Sequence, residues 1–397
     1  MSALAPRAPT RGLMIFALAN AGGVIGYLPL LTLLLPLKVD GIAPDTRIGI
    51  VTLASISGAV AAGLSNIAFG WWSDRSIAAG GGRRRFIAGG LAATTAAYAL
   101  LGFAATPATI LLSVIVFQIA VNAVLGPLMA TMADEIPDER KGVAGGLLAL
   151  AVPLASLVSA LVIGFATIGE AARLAIVAGA MVACVSPLLL ARSRRAPGAI
   201  VPPANPEIAR RDMIASWIAR LLVQIAGTVL FHYLLFYFQT VTRGVAADLL
   251  ASRTGQLMAI AYVLPLPVAI LFGRLSDRSG VRKPFLLAAA LIAAGGLAGM
   301  ATATGWLPAA FAFAVYATGS STFLALHATF AMQLLPSAAH RGRDLGLLNL
   351  SNTIPALLGP ALAWALARPD DFSALMLALA LLTALGGVSM LSVRGRR

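Results

Sequence analysis

Several long apolar stretches of this chain carry side chains able to hold a solute. The first offers Asn20 and Tyr27, the fourth Gln118 and Asn122, the seventh Gln224, His232, Tyr233 and Tyr237, and the tenth Ser320, Ser321 and His327. Gln118 and Asn122 are four residues apart, which puts them on one face of a helix. Amides hydrogen-bond hydroxyl groups, and aromatic faces stack on sugar rings or flat apolar ligands. The set is neutral and rich in amides and aromatics, so a polyhydroxylated neutral solute suits it. Polar groups are costly in hydrocarbon and face a bundle interior or a water-filled path. They also serve as glue between helices, worth about 0.6–2 kcal/mol each.

The ionisable residues are placed differently. All fifteen acids lie in loops or at the ends of apolar stretches. Proton relays inside membranes use Asp, Glu or His chains, and histidine changes charge near physiological pH. His232 and His327 are therefore the candidates for proton coupling. Each can equally be a neutral hydrogen-bonding core residue, and a facilitator or exchanger without ion coupling also fits. Arg220 lies inside the seventh stretch, about 9 Å from its start at 1.5 Å per residue. It either snorkels to the interface or binds an anionic solute such as a carboxylate or phosphate. Asn349 and Asn352, three residues apart, are expected to brace helix packing.

A charged turn occurs twice. Residues 70–75 read Gly-Trp-Trp-Ser-Asp-Arg, followed by Arg83, Arg84 and Arg85. Residues 273–283 read Gly-Arg-Leu-Ser-Asp-Arg-Ser-Gly-Val-Arg-Lys, and Asp74 and Asp277 are 203 positions apart. A carboxylate at a helix end can accept hydrogen bonds from the first amides of a neighbouring helix and complement its dipole. A second echo links Met132-Ala133 … Pro137 … Arg140-Lys141-Gly142 with Met332-Gln333 … Pro336 … Arg341-Gly342. The acids of 134–139 form a charge cluster without the ordered spacing of a calcium loop, and no metal site is expected. No Walker loop, dinucleotide fingerprint, HExxH or nucleophile elbow is present. Neither catalysis nor a cofactor is expected.

The elements that carry these residues follow from composition. The chain is 59% hydrophobic and 11% charged, with mean hydropathy +0.90, whereas a soluble domain has roughly 25% charged residues. Apolar stretches at 13–36, 48–71, 86–104, 109–133, 143–166, 171–191, 214–240, 254–274, 285–303, 307–333, 345–366 and 372–391 have about the length of a membrane-spanning helix. The first is too long for a signal-peptide core of roughly 7–15 residues and is expected to be a retained span. These stretches are continuously apolar, unlike the alternating strands of a barrel.

Most of the 29 Lys and Arg fall on one side of these spans: Arg7 and Arg11; Arg75, Arg83, Arg84 and Arg85; Arg140 and Lys141; Arg192, Arg194, Arg195, Arg210 and Arg211; Arg274, Arg278, Arg282 and Lys283; Arg341 and Arg343; Arg394, Arg396 and Arg397. The other side holds Lys38, Arg47, Arg173, Arg243, Arg253 and Arg368. The positive-inside rule puts both termini in the cytoplasm. The net charge of +14 is thus a topology signal, and no nucleic-acid partner is expected. The Pro-rich stretch 192–212 reads as a cytoplasmic linker between bundles at 1–191 and 213–397. The fold class predicted is an all-α membrane protein, twelve transmembrane helices in two pseudo-symmetric six-helix bundles.

Twelve spans, the 6+6 duplication and the Gly-x-x-x-Asp-Arg turns resemble the major facilitator superfamily of secondary transporters. The blocks Asp74-Arg75 … Gly82-Arg83-Arg84-Arg85-Phe86 and Asp277-Arg278-Ser279-Gly280-Val281-Arg282-Lys283-Pro284-Phe285 are similar to those of glycoside–pentoside–hexuronide and sucrose–proton symporters. Helix 2 lacks the acidic residues of sodium-coupled melibiose-type members, and helix 5 lacks the Gly-Pro pattern of drug antiporters. The resemblance implies that helices 1, 4, 7 and 10 line a central cavity. That makes Asn20, Tyr27, Gln118, Asn122, Gln224, His232, Tyr233, Tyr237 and His327 the candidate substrate contacts. It also implies a cytoplasmic gate: Asp74 facing the start of helix 11 near Leu345 and Asp277 facing the start of helix 5 near Val143, with Arg75, Arg85, Arg278 and Arg282 bridging. The function it implies is alternating-access transport across the cytoplasmic inner membrane by a monomer. The solute would be a sugar or glycoside, with or without protons. The alternative is proton-driven export of drug-like or amphipathic compounds.

Overall fold

The computed structural model describes residues 10–164, 168–192, 206–242, 245–335, 337–368 and 370–394. Most of the linker, together with Arg7, Arg194, Arg195, Arg243, Arg396 and Arg397, lies outside the described residues. α1 (Thr10–Ile25) turns at Gly26 and Tyr27, then continues through a π-helical stretch, Leu30–Leu34, into Leu35–Ile42. α2 is Arg47–Ala78, α3 Arg84–Phe103 and α4 Pro107–Glu135. α5 has two pieces, Lys141–Leu148 and Ala151–Gly164. α6 is Glu170–Leu190 and α7 Pro206–Val241. α8 is again in two pieces, Ala247–Val263 and Pro265–Ser279. α9 is Lys283–Thr302 and α10 Trp306–Gln333. α11 runs Arg341–Thr353 and Pro355–Leu366, and α12 is Ser373–Ser389. Among the described residues, eleven spans are long and apolar enough to cross a membrane. α8, joined across Leu264, makes the twelfth. The described residues form no strand, only an isolated bridge between Arg368 and Asp371. The twelve-helix architecture is the one expected.

Local sequence accounts for the starts and breaks. α4 begins with Pro107 and a reciprocal cap: Thr106 Oγ1 accepts from the Thr109 amide at 3.3 Å, and Thr109 Oγ1 accepts from the Thr106 amide at 3.0 Å. α8 and α11 break just before Pro265 and Pro355, because proline has no N–H for the preceding turn. α8 ends at Gly280, whose φ of +67° favours glycine. α7 starts at Pro206, so the last part of the expected linker is already helical.

The chain packs into two compact units. Unit one comprises described residues of 1–140, 150–202 and 337–347; unit two those of 141–149, 203–336 and 348–397. Two short helix starts thus pack away from the rest of their sequence half: the first piece of α5 with unit two, the start of α11 with unit one. In unit one, Tyr98 packs edge-on to Phe117 at 5.3 Å and its hydroxyl donates to the Gly26 carbonyl at 2.8 Å. That satisfies a carbonyl at the turn in α1. In unit two, the Tyr237 hydroxyl donates to the Met300 carbonyl at 2.8 Å.

Candidate transport site and helix clamps

The duplicated turns build two similar clamps. In unit one, Asp74 sits near the end of α2 and meets the first turn of α11. Its Oδ1 accepts from the Gly342 amide at 2.9 Å and its Oδ2 from the Arg343 amide at 3.0 Å. In unit two, Asp277 near the end of α8 meets the first turn of α5. Its Oδ1 accepts from the Gly142 amide at 2.9 Å and its Oδ2 from the Val143 amide at 2.8 Å. Helix starts expose amides without intrahelical acceptors and carry positive dipole ends, so a carboxylate fits both.

Glycine makes the approach possible. Gly70, four residues before Asp74, lies against the Gly342 carbonyl, and Gly273 lies against the Gly142 carbonyl in the same way. A Cβ at any of these four positions would overlap the facing backbone or the clamp carboxylate. One turn on, a Cβ at Gly346 would come within 2.6 Å of Ile67 Cα, and one at Gly146 within 3.0 Å of Ile270 Cα. Gly142-x-x-x-Gly146 and Gly342-x-x-x-Gly346 are therefore small-residue packing stripes, a spacing legible in the sequence but not singled out there.

Of the four bridging cations expected, Arg282 holds its clamp aspartate, whereas the cation at Asp74 is Arg83, which is not among them. Asp74 is held by Arg83, whose Nη1 donates to Asp74 Oδ1 at 2.7 Å and to Ser73 Oγ at 2.6 Å. Arg75 and Arg85 are exposed, with Arg75 stacked over Trp71 at 3.8 Å and Arg85 over Phe86 at 5.4 Å. Arg75 adjoins Asp74 in the helix, so its side chain leaves on another face. Asp277 is held by Arg282 at 2.8 Å, while Arg278, again the helix neighbour, is exposed. Arg83 and Arg282 each occupy the N-cap position of the helix that follows their clamp, without a side-chain capping bond. Asp134 extends the first clamp, accepting from Arg83 Nε at 2.9 Å and from Arg341 Nη1 at 2.7 Å.

Unit two contains a cavity of about 180 Å³ among α7, α8 and α10. Gln224, Ser320, Ser321 and the Tyr316 hydroxyl are its polar features; Leu230, Phe231, Leu234, Met258 and Phe313 are among its apolar walls. Gln224 Nε2 donates to Asn352 Oδ1 at 3.3 Å. Arg220 Nε donates to the same oxygen at 2.9 Å, and its Nη1 to the Leu324 carbonyl at 3.4 Å. Asn352 Nδ2 in turn donates to Asn349 Oδ1 at 2.6 Å. Among the described residues no group of three His, Cys, Asp or Glu converges as a metal site would.

A family profile described as Major Facilitator Superfamily matches residues 12–251 and 213–397. The chain belongs to the major facilitator superfamily. No curated protein matches this superfamily member in sequence. Solved structures share its fold. They include the proton:xylose symporter XylE bound to 6-bromo-6-deoxy-D-glucose (14% identity, 97% of this chain and 96% of that one, TM-score 0.73). The human organic anion transporter MFSD10 is similar (14% identity, 96% and 100%, TM-score 0.74). So is a bacterial homologue of the iron transporter ferroportin in an outward-facing state (14% identity, 97% and 99%, TM-score 0.74). Membership makes the chain a multi-pass membrane transporter.

The expected solute contacts of this facilitator-superfamily chain land in different settings. In unit one, Asn20 and Tyr27 are half-buried on α1. Asn122 is buried; its Oδ1 accepts from Asn66 Nδ2 at 2.8 Å, and its Nδ2 donates to the Gln118 carbonyl at 2.8 Å. The Gln118 side chain packs against Gly58. In unit two, Gln224 reaches the cavity, whereas His232, Tyr233, Tyr237 and His327 do not line it. Exposed His232 donates from Nδ1 to the Thr228 carbonyl at 2.8 Å. His327 is fully buried and stacked on Phe323, and its Nε2 meets the Ser216 carbonyl at 2.8 Å and Oγ at 2.9 Å. A carbonyl only accepts, so Nε2 carries the hydrogen; Nδ1 has no partner.

Proposed function

We propose that the chain moves a small amphipathic organic solute across a cytoplasmic membrane by alternating access, with Asp74 and Asp277 as gating carboxylates and both termini inside. The duplicated clamp carries the gating proposal. Two carboxylates at repeat-equivalent positions each take two helix-start amides, through contacts that can form and break without covalent change. Two six-helix halves, 1–191 and 213–397, would be the moving parts. Asymmetric Lys and Arg placement supports the orientation. The cavity in unit two supports an amphipathic solute, since apolar side chains dominate its walls and a few polar groups gather near one another.

A second proposal, symport of a sugar or glycoside, is favoured by the turn blocks shared with the glycoside–pentoside–hexuronide group and by the side-chain amide of Gln118. The named transporters of similar fold carry sugars, organic anions and iron, and do not choose between the two.

Purified protein would first be screened by thermal shift against sugars, organic acids and drug-like amphiphiles. A ligand at a hundred times its Kd stabilises by about 2.7 kcal/mol. The stabilising compound would then be tested for counterflow in proteoliposomes. Flux in the parent, and its loss in Asp74→Asn with binding retained, is the expected result. Binding without flux in the parent would overturn transport, and unchanged flux in Asp74→Asn would overturn gating.

A further inference from the structure

We propose that unit two binds a neutral single-ring solute bearing a hydroxyl, the ring in the cavity and the hydroxyl between Gln224 Oε1 and the Tyr316 hydroxyl, in a space that Gly227 keeps open. This rests on the amphipathic-solute proposal and assigns the chemistry of the polar end. Size comes first. An apolar cavity of roughly 150 Å³ accepts benzene, so the cavity of about 180 Å³ takes one ring. A hexose with hydroxyls on every side would leave most of them facing Leu230, Leu234, Met258 and Phe313, a costly burial of polar groups.

The polarity of the site is set by a relay of hydrogen bonds that starts outside the cavity. A guanidinium only donates. Arg220 Nε donates to Asn352 Oδ1 at 2.9 Å, so the oxygen of that amide faces α7, and Asn352 Nδ2 donates to Asn349 Oδ1 at 2.6 Å. Gln224 meets the same oxygen and must donate as well, through Nε2 at 3.3 Å. Its other end, Oε1, only accepts. Gln224 and Gly227 are three residues apart on one face of α7, and both line the cavity together with Tyr316. A Cβ at Gly227 would stand 4.0 Å from Gln224 Oε1 and 3.4 Å from the Tyr316 hydroxyl. The space over Gly227 therefore has an acceptor on one side and a hydroxyl, able to donate, on the other. A solute hydroxyl gives one hydrogen and accepts another, and so satisfies both. A carboxylate would press its lone pairs against Oε1, and an ether has no hydrogen to offer it. Glycine inside a helix is less stable than alanine, and an alanine methyl at these distances would make ordinary contacts. Packing does not require the glycine; access to the two oxygens does.

The full-length protein in nanodiscs would be titrated calorimetrically with phenol, anisole, benzoate and glucose, each against empty nanodiscs. Phenol is expected to bind roughly three- to tenfold more tightly than anisole, the worth of one neutral hydrogen bond, and more tightly than benzoate. Gln224→Leu should bring phenol down to the level of anisole. Gly227→Ala should keep or raise the Tm and weaken phenol by about tenfold or more, a combination that a packing role for the glycine would not give. Equal binding of phenol and anisole by the parent, tighter binding of benzoate, or a phenol preference that survives in Gln224→Leu would overturn the hydroxyl assignment while leaving an amphipathic solute in place. Phenol binding undiminished in Gly227→Ala would overturn the site over Gly227, and decides the matter if Gln224→Leu does not fold. Glucose binding with none of the aromatic compounds bound would remove both proposals in favour of the sugar, and heat from none of the four would remove the hydroxyl assignment.

Discussion

Asp74→Asn is the most direct perturbation of the clamps. The carboxylate is almost fully buried, its side chain 2% exposed, and it accepts the Gly342 and Arg343 amides and Arg83. Asparagine keeps one acceptor oxygen and turns an NH2 group toward a remaining donor. At least one hydrogen bond to a charged acceptor is lost, worth about 1.5–3 kcal/mol. Each 1.4 kcal/mol or so is a factor of ten, so the clamp should open roughly ten- to hundredfold more often. Amides in the first turn of a helix lack acceptors within that helix, so their protection reports on the carboxylate. Hydrogen exchange of peptides spanning 341–347 should accelerate by that factor in Asp74→Asn, while 141–147 stays as in the parent. Asp277→Asn should do the reverse. Unchanged exchange in 341–347 would refute the hydrogen bonding deduced for Asp74. Equal acceleration of both peptides would show a global loosening rather than a local clamp.

Four further perturbations test neighbouring contacts. Gly70→Ala and Gly273→Ala should each destabilise by about 1–3 kcal/mol through overpacking, read as a lowered Tm. Gly295→Ala, where an added Cβ meets nothing within 4 Å, should not. Tyr237→Phe should cost about 0.5–1.5 kcal/mol of stability and leave solute binding unchanged, because its hydroxyl is committed to Met300. A double-mutant cycle over Asn66→Ala and Asn122→Ala should return a coupling of about 0.6 kcal/mol, and no more than about 1.7. If transport is proton-coupled, the double variant His232→Gln with His327→Gln should lose uphill, pH-driven uptake. Uptake surviving in it would remove both histidines from coupling.

The fold was legible because it is written in long apolar runs and in charge placement, which need no knowledge of contacts. The clamp aspartates were legible because the turn occurs twice. Of their cations, Arg282 was legible in the second turn and Arg83 was not. Several arginines cluster near each aspartate, and the one that reaches it is set by loop length. Gly80, at φ +78°, turns the chain so that Arg83, at the N-cap position of α3, comes back to α2. The solute contacts were the least legible. An intraspan Asn, Tyr or His looks the same in sequence whether it faces a cavity or a neighbouring carbonyl, and the rotation of each helix decides. Asn122, Tyr237 and His327 meet partners on other helices, and Gln224, similar in sequence terms, reaches the cavity.

Repetition in the sequence also conceals a chemical difference between the clamps. Asp134 joins Arg83 to Arg341, so the first clamp is a network of two carboxylates and two guanidinium groups around a helix start. The residue 200 positions on from Asp134 is Leu334, which is buried among apolar side chains at the end of α10. No carboxylate can join Arg282 to the start of α5 from that position. Buried ion pairs gain little net stability against their desolvation cost, but removing one partner leaves a charge stranded. The first clamp therefore closes in one defined arrangement and resists partial opening. In the second clamp Asp277 takes two amides and Arg282, with leucine at the position where the first repeat carries Asp134. Under the alternating-access proposal, the two gates therefore share their helix-start hydrogen bonds and differ in the acidic residue that ties Arg83 to Arg341 in the first.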